Sequence, residues 1–206
     1  MDTQTKAMPH AVTQRLPQYF AYIKDIKKPD DEYVHFHEIA YALGLTSSTV
    51  RMDFTHLNIQ DGGKHGYKIK HLKHVLIHVL DINKKKRLAI VGAGNLGKAL
   101  ATHGNLEEYS FDVRTILDIN PELVGSKIGR LTVKNIDCLT TARCKDKINI
   151  AVPSSSAQEV AYRLITSGVK GLLNLAFTRI VAPQKVVVAD SCIMSDFLRL
   201  SSLMIN

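Results

Sequence analysis

Residues 88–97 read Leu88-Ala89-Ile90-Val91-Gly92-Ala93-Gly94-Asn95-Leu96-Gly97. Four apolar residues make a short strand pattern that runs directly into G-x-G-x-x-G. That motif alone is weak. It becomes a dinucleotide-binding fingerprint when it leaves a strand, opens a helix and is followed by a carboxylate closing the next strand. Asp118 closes the apolar run 112–117 and stands 21 residues after Gly97. Gly92 permits the tight turn, Gly94 lets a pyrophosphate approach the backbone, and Gly97 lets helix and strand pack closely. Ala93, Asn95 and Leu96 complete the loop, and the free N–H groups of the helix start favour an anion. Asp118 would accept bonds from the adenosine ribose hydroxyls, and its charge opposes a 2′-phosphate, so NAD(H) is favoured over NADP(H). Two other readings compete: an empty Rossmann shell kept for dimerisation, and a site for another adenine nucleotide.

Toward the C-terminus, residues 87–91, 112–117, 148–152, 171–175 and 185–189 read as strands, and 96–103 and 156–167 as helices. This alternation predicts an α/β fold, a Rossmann-type doubly wound parallel sheet. A dehydrogenase also needs a substrate domain and a general acid or base beside the nicotinamide. The stretch 190–206 has room for one helix only, and His103 is the single histidine after residue 87, so catalysis is disfavoured. A small NAD-linked oxidoreductase with a helical accessory domain is the alternative.

Toward the N-terminus, the charged seam Asn83-Lys84-Lys85-Lys86-Arg87 separates this domain from a helical one. Leu16, Tyr19, Phe20, Ile23 and Ile26 recur at helix spacing, ended by Pro29-Asp30-Asp31. Phe36, Ile39, Ala40 and Leu43 mark a second helix stopped by Gly44. Thr46 and Ser47 can cap a third, with Val50, Phe54 and Leu57 inward. Asp61-Gly62-Gly63-Lys64-His65-Gly66 reads as a hairpin, followed by a helix from about residue 69 to 80 with Leu72, Val75, Leu76, Val79 and Leu80 inward. Helix, turn, helix and wing together make a winged helix. Its third helix would enter the major groove, exposing Ser47, Ser48, Arg51, Met52 and Thr55, with Lys64 and His65 at the wing tip. Arg51 can make a bidentate contact to guanine. A small helical domain that binds protein is the competing reading.

Composition agrees with a polyanionic partner. The 206 residues carry 27 Lys/Arg and 19 Asp/Glu, a net charge of +8. The first 87 residues hold 14 of the cations, 9 of the acids and eight of the nine histidines. Such a basic front portion fits double-stranded DNA. His71, His74 and His78 share a helix stripe, but without nearby cysteines or clustered carboxylates they predict a solvated face and no metal site. Three unpaired cysteines, Cys138, Cys144 and Cys192, fit reduced thiols. No apolar run is long enough to cross a bilayer, and no signal peptide is evident, so a cytoplasmic protein is expected.

The two halves together resemble the Rex family of bacterial redox-sensing repressors. The resemblance rests on Arg15-Leu16-Pro17-x-Tyr19, on Ser47-Ser48-Thr49-Val50-Arg51-x-Asp53, on Gly66-Tyr67 and on residues 91–100. Val152-Pro153 with Ala157-Gln158, and residues 168–174 ending in Asn174, match further signatures. It implies a sequence-specific repressor, a homodimer that exchanges a C-terminal helix, and operator binding that NADH weakens and NAD⁺ permits. It adds Val152, Pro153, Asn174 and Asp190 to the cofactor-binding set. The expected organisation is a winged-helix domain at 1–83, a Rossmann domain at 84–190 and a dimerisation helix at 191–206.

The chain also departs from that pattern. Met52 replaces a usual lysine, His56-Leu57-Asn58 replaces Tyr-Phe-Gly, and Gly63 replaces the wing arginine. Ala21, His103 and Ser191 replace an arginine, a tyrosine and an aromatic residue of the family's switch, leaving Asp190, and Phe177 replaces a proline. The resemblance therefore implies a divergent member with an altered operator. Its NAD response is expected to be weakened, or retuned toward another adenine nucleotide.

Overall fold

The structure is a computed structural model, and it describes residues 8–59, 65–103, 105–138, 147–150 and 154–205. The chain divides into two compact units, Met1–Lys84 and Lys85–Asn206.

In the first unit, α1 (His10–Asp25) buries Val12, Leu16, Tyr19, Phe20 and Ile23 along one stripe. The spacing of these residues is that of a helix with one apolar face. The helix ends at Asp25, ahead of the Pro-Asp-Asp stop, because Ile26 is already extended. β1 (Tyr33–Val34) follows, then α2 (Phe36–Leu43). The Glu38 carboxylate accepts from the His35 N–H at 2.9 Å, tying down the start of α2. Gly44 ends α2 in the left-handed region, φ +63° and ψ +31°. A residue with a Cβ is strained there. α3 (Ser47–His56) is capped by Thr46, whose hydroxyl oxygen accepts from the Thr49 N–H at 3.1 Å.

The wing differs from the sequence reading. The described strand β2 (Tyr67–Lys68) pairs antiparallel with Tyr33–Val34, more than thirty residues earlier. The two short strands are invisible to a periodicity argument, since each spans a single exposed-buried cycle and a pattern needs several. Residues 60–64, the rest of the expected hairpin, lie outside the described residues. α4 (Ile69–Val79) buries Ile69, Leu72 and Leu76, whereas Val79, expected inward, is 38% exposed. Leu76, in the same last turn, stays buried, so the apolar face narrows only at the final residue.

The second unit is a doubly wound α/β sheet. Its strands are β3 (Lys86–Val91), β4 (Phe111–Asp118), β5 (Lys127–Ile128), β6 (Leu131–Asn135), β7 (Lys147–Ile150), β8 (Gly171–Asn174) and β9 (Val187–Asp190). They lie in the order β5-β6-β4-β3-β7-β8-β9, and only β5 and β6 run antiparallel. β5 and β6 were missed because Leu131-Thr132-Val133-Lys134-Asn135 buries only Val133 and lacks a long apolar run. Helices α5 (Asn95–Thr102), α6 (Asn105–Glu108) and α7 (Ser154–Thr166) connect the strands.

Leu88 and Ile90 join a core with Val113 and Ile116, while Ala89 and Val91 join another with Leu117, Val160 and Leu164. β3 is thus covered on both faces, which is why it reads as an unbroken apolar run. The chain winds outward through β4 and β6, then returns to β7 on the other side of β3. That reversal opens a crevice at the C-terminal ends of β3 and β7, where ligands of such sheets bind.

α8 (Ile193–Met204) ends the chain with no buried residue. Ile193, Met194, Phe197, Leu198, Leu200, Leu203 and Met204 are each more than half exposed. No helix among the described residues is long and apolar enough to cross a membrane.

Candidate functional site

The glycine loop occupies that crevice. β3 delivers Val91 to Gly92, whose N–H donates to the Leu117 carbonyl at 2.8 Å and fixes the loop to β4. α5 then starts at Asn95 with Gly94 at its N-cap and no side-chain cap. The first N–H groups of this helix therefore have no partner within the helix and suit an anion. Gly92, Ala93 and Gly97 are buried, while Gly94, Asn95 and Leu96 face outward. The two kinds of glycine do different work. A Cβ on Gly97 would lie 1.8 Å from the Gly92 carbonyl oxygen, so α5 sits on β3 only because that atom is missing. A Cβ on Gly94 would meet nothing within 4 Å. Space at Gly94 is what a phosphate group needs to reach the backbone.

Asp118 ends β4 beside this loop. Its Oδ2 accepts from the Ala93 N–H at 2.6 Å and its Oδ1 from the Asn120 N–H at 2.8 Å. The carboxylate ties the glycine loop to the neighbouring strand, and each oxygen keeps a lone pair for a ribose hydroxyl. Next to it is an open pocket lined by Ile119, Asn135, Asp137, Ser156, Glu159, Val160 and Arg163. Ile119 is 56% exposed, an apolar surface on which a flat base can rest. Arg163 pairs with both Asp137 and Glu159 at 3.3 Å. Sequence reasoning missed these residues. Only Ile119, directly after Asp118, carried a local signal.

Asn174 and Asp190 meet at the C-terminal ends of β8 and β9, where they are register partners. The Asn174 amide donates to Asp190 Oδ1 and to the Thr178 carbonyl, both at 2.7 Å, and accepts from the Ala176 N–H at 3.1 Å. Asn174 is 1% exposed and spends its amide on protein partners, so it positions Asp190. Val152 and Pro153 lie outside the described residues. Ser191 and His103 are exposed. Among the described residues, no group of three His, Cys, Asp or Glu is arranged to hold a metal ion.

In the first unit, Ser48, Arg51, Met52 and Thr55 are exposed on α3 at i, i+3, i+4 and i+7, a single outward stripe. Ser47 is half-buried at the helix start, and His65 is exposed near Tyr33, ring centroids 6.2 Å apart. Lys64 lies outside the described residues. The Arg51 guanidinium rests 3.8 Å over the centre of the Phe36 ring, a cation–π arrangement that restrains it.

The inward side of α3 holds a residue that sequence reasoning did not place in the core. Asp53 is 2% exposed. Arg15 grips both its oxygens, Nε at 2.6 Å and Nη2 at 2.7 Å, and the Tyr19 hydroxyl donates to Oδ2 at 2.5 Å. Burial pushes the Asp53 carboxyl up, but the bonds from Arg15 and Tyr19 outweigh it and hold the group below its ordinary value. Burial and the Asp53 charge raise the Tyr19 hydroxyl, so it stays a donor. This clamp locks α3 to α1 and sets which residues the helix turns outward.

Comparison with known proteins places both sites in context. Residues 83–178 match the family described as CoA binding domain, and residues 7–55 the family described as "Putative DNA-binding protein N-terminus". A redox-sensing transcriptional repressor Rex from Clostridium acetobutylicum is 32% identical over 197 residues, 94% of this chain and 92% of the relative. The repressor of the same name from Clostridium novyi is 33% identical over 199 residues, 94% of each chain. Among solved structures, RSP, a Rex-family repressor, is 30% identical with a TM-score of 0.84, covering 96% of this chain and 93% of RSP. RSP with β-NAD⁺ and operator DNA has a TM-score of 0.86 at 29% identity, covering 96% and 92%. RSP with β-NADH has a TM-score of 0.84 at 29% identity, covering 98% and 95%.

Proposed function

The chain belongs to the Rex family of redox-sensing transcriptional repressors, and from this we infer that it binds operator DNA through α3 under the control of NADH and NAD⁺. The observation that carries the reading is the glycine loop, open at Gly94 and tied to Asp118 through the Ala93 N–H, in the same chain as the outward α3 stripe. A structural neighbour solved with both β-NAD⁺ and operator DNA supports the pairing of the two activities.

Each residue has a task in this reading. The N–H groups at the start of α5 hold the pyrophosphate, and Asp118 holds the adenosine ribose while bracing the loop. Ile119 and its pocket take the adenine, and Asp190, positioned by Asn174, faces the other end of the dinucleotide. Val152 and Pro153 belong to the same set. In the first unit, Arg51 reaches a guanine edge, and Ser47, Ser48, Lys64 and His65 contact phosphates. The two functions correspond to residues 1–83 and 84–190. The dinucleotide alters DNA binding only by favouring one arrangement of the protein over another.

The exposed apolar face of α8, within residues 191–206, is covered by a second copy of the chain, and the resulting dimer reads two half-sites. A monomer in sedimentation at micromolar concentration would refute this. The relatives named above are repressors, and the chain is proposed to act in the cytoplasm as a regulator that does not turn over its nucleotide. Consumption of NADH with a 2-hydroxy acid or aldehyde would instead support the oxidoreductase reading.

The test is anisotropy of a labelled duplex with the full chain. Operator affinity should fall steeply with salt, as phosphate contacts require. NADH should weaken it and NAD⁺ should not. The coupling should lie near the low end of the usual range, about fivefold, because Ala21, His103 and Ser191 cannot supply the family's switch contacts. Binding that ignores salt, or the absence of any retained duplex, overturns the assignment.

Asp118→Ala should cost about 10-fold or more in NADH affinity, the scale of a lost hydrogen bond to a charged group. It should also narrow the preference for NADH over NADPH by removing the charge that opposes a 2′-phosphate. Isothermal titration with both nucleotides checks this, and an unchanged preference would remove Asp118 from the ribose.

A further inference from the structure

The α3 stripe carries an unusual mixture for a surface that meets DNA. Of Ser48, Arg51, Met52 and Thr55, only Arg51 is charged. Met52 is 62% exposed, an unbranched apolar side chain at the middle of the stripe. The hydroxyls beside it are partly committed. Thr55 donates its proton to the Arg51 carbonyl at 2.8 Å, and Ser48 shares a proton with Thr46 at 2.9 Å. Thr55 therefore offers lone pairs and a methyl group but no donor. The guanidinium of Arg51 leans over Phe36. The position next to Arg51 on this face is thus apolar and deformable, with no donor of its own.

Only one group in the major groove of B-DNA matches such a surface, the C5-methyl of thymine. A methionine set against it removes apolar area from water on both sides, and its flexible thioether adapts to the groove. Resting on the DNA-binding reading above, we propose that Met52 reads a thymine C5-methyl group in each operator half-site, beside the base edge contacted by Arg51. Met52 is then a specificity-determining residue.

The experiment uses the full chain and a duplex enriched by that chain from a randomised pool. Each thymine is replaced in turn by uracil, which pairs identically and lacks only the methyl group. One position per half-site should cost about fourfold in Kd, and both together about fifteenfold, on the scale of ~0.8 kcal/mol per buried carbon. Met52→Ala should bind the thymine duplex as weakly as the wild type binds the uracil one, with no further loss on uracil. Met52→Leu should keep the discrimination. Since Met52 is exposed, both variants should melt with the wild type, so lost folding cannot imitate the effect. If uracil costs nothing anywhere, or costs Met52→Ala as much as the wild type, the proposal fails while the repressor reading stands. If no duplex is enriched, the repressor reading fails and takes the proposal with it.

Discussion

Gly97→Ala should lose NADH binding by at least about 100-fold and destabilise the Rossmann unit, while the N-terminal unit still melts as in the wild type. The added Cβ would lie 1.8 Å from the Gly92 carbonyl oxygen and 2.9 Å from its carbon, both backbone atoms. A side chain could rotate away, but here either the loop or α5 must move by more than an ångström. Overpacking of this kind costs about 1–3 kcal/mol or more. The displaced groups are also the N–H donors proposed above to hold the pyrophosphate, so binding should suffer beyond stability. Gly94→Ala is the control. Its Cβ meets nothing within 4 Å, so the fold should be kept. Binding should still fall, because the methyl group fills the space where phosphate approaches. Calorimetric melting and NADH titration of both variants separate the effects. Gly97→Ala with near-wild-type affinity would mean that the loop does not cradle the ligand.

Asp53→Ala should strongly destabilise the N-terminal unit without disturbing NADH binding. Asp53 is buried, and it is the shared acceptor of Arg15 and Tyr19. Removing one member of such a pair leaves the partners unmatched and costs about 3–5 kcal/mol. A small domain has only about 5–15 kcal/mol in total, so the unit should melt well below the wild type and operator affinity should fall with it on warming.

The same carboxylate sets a pH limit. Its folded value is lowered, so the stability it contributes is present above the unfolded carboxylate range and is lost as pH falls through the lowered folded value. Acid should therefore unfold the N-terminal unit through this group, and Asp53→Asn should flatten that part of the profile while lowering stability at neutral pH. Thermal melts followed by circular dichroism between about pH 3 and 7 check the sign. A variant as stable as the wild type at neutral pH would reduce the clamp to an incidental surface pair.

Local sequence carried much of this protein. The strand, the glycine turn at Gly92, Gly94 and Gly97 and the helix after it were legible because glycine spacing and strand periodicity are properties of neighbouring residues. The outward set Ser48, Arg51, Met52 and Thr55 was legible for the same reason, since helix periodicity alone sorts the faces of α3. Tertiary structure decided the rest. Helix spacing alone did not place Asp53 in the core, because the Arg15 that pairs with it comes from 38 residues away. The hydrogen bonds of Asn174 to Asp190 and Thr178 depend on β9 coming alongside β8. The pairing of Tyr33–Val34 with Tyr67–Lys68 and the pocket beside Ile119 likewise arise between distant segments. Periodicity tells which way a side chain faces, but the partner that makes a buried polar group tolerable comes from elsewhere in the chain, and only the folded arrangement supplies it.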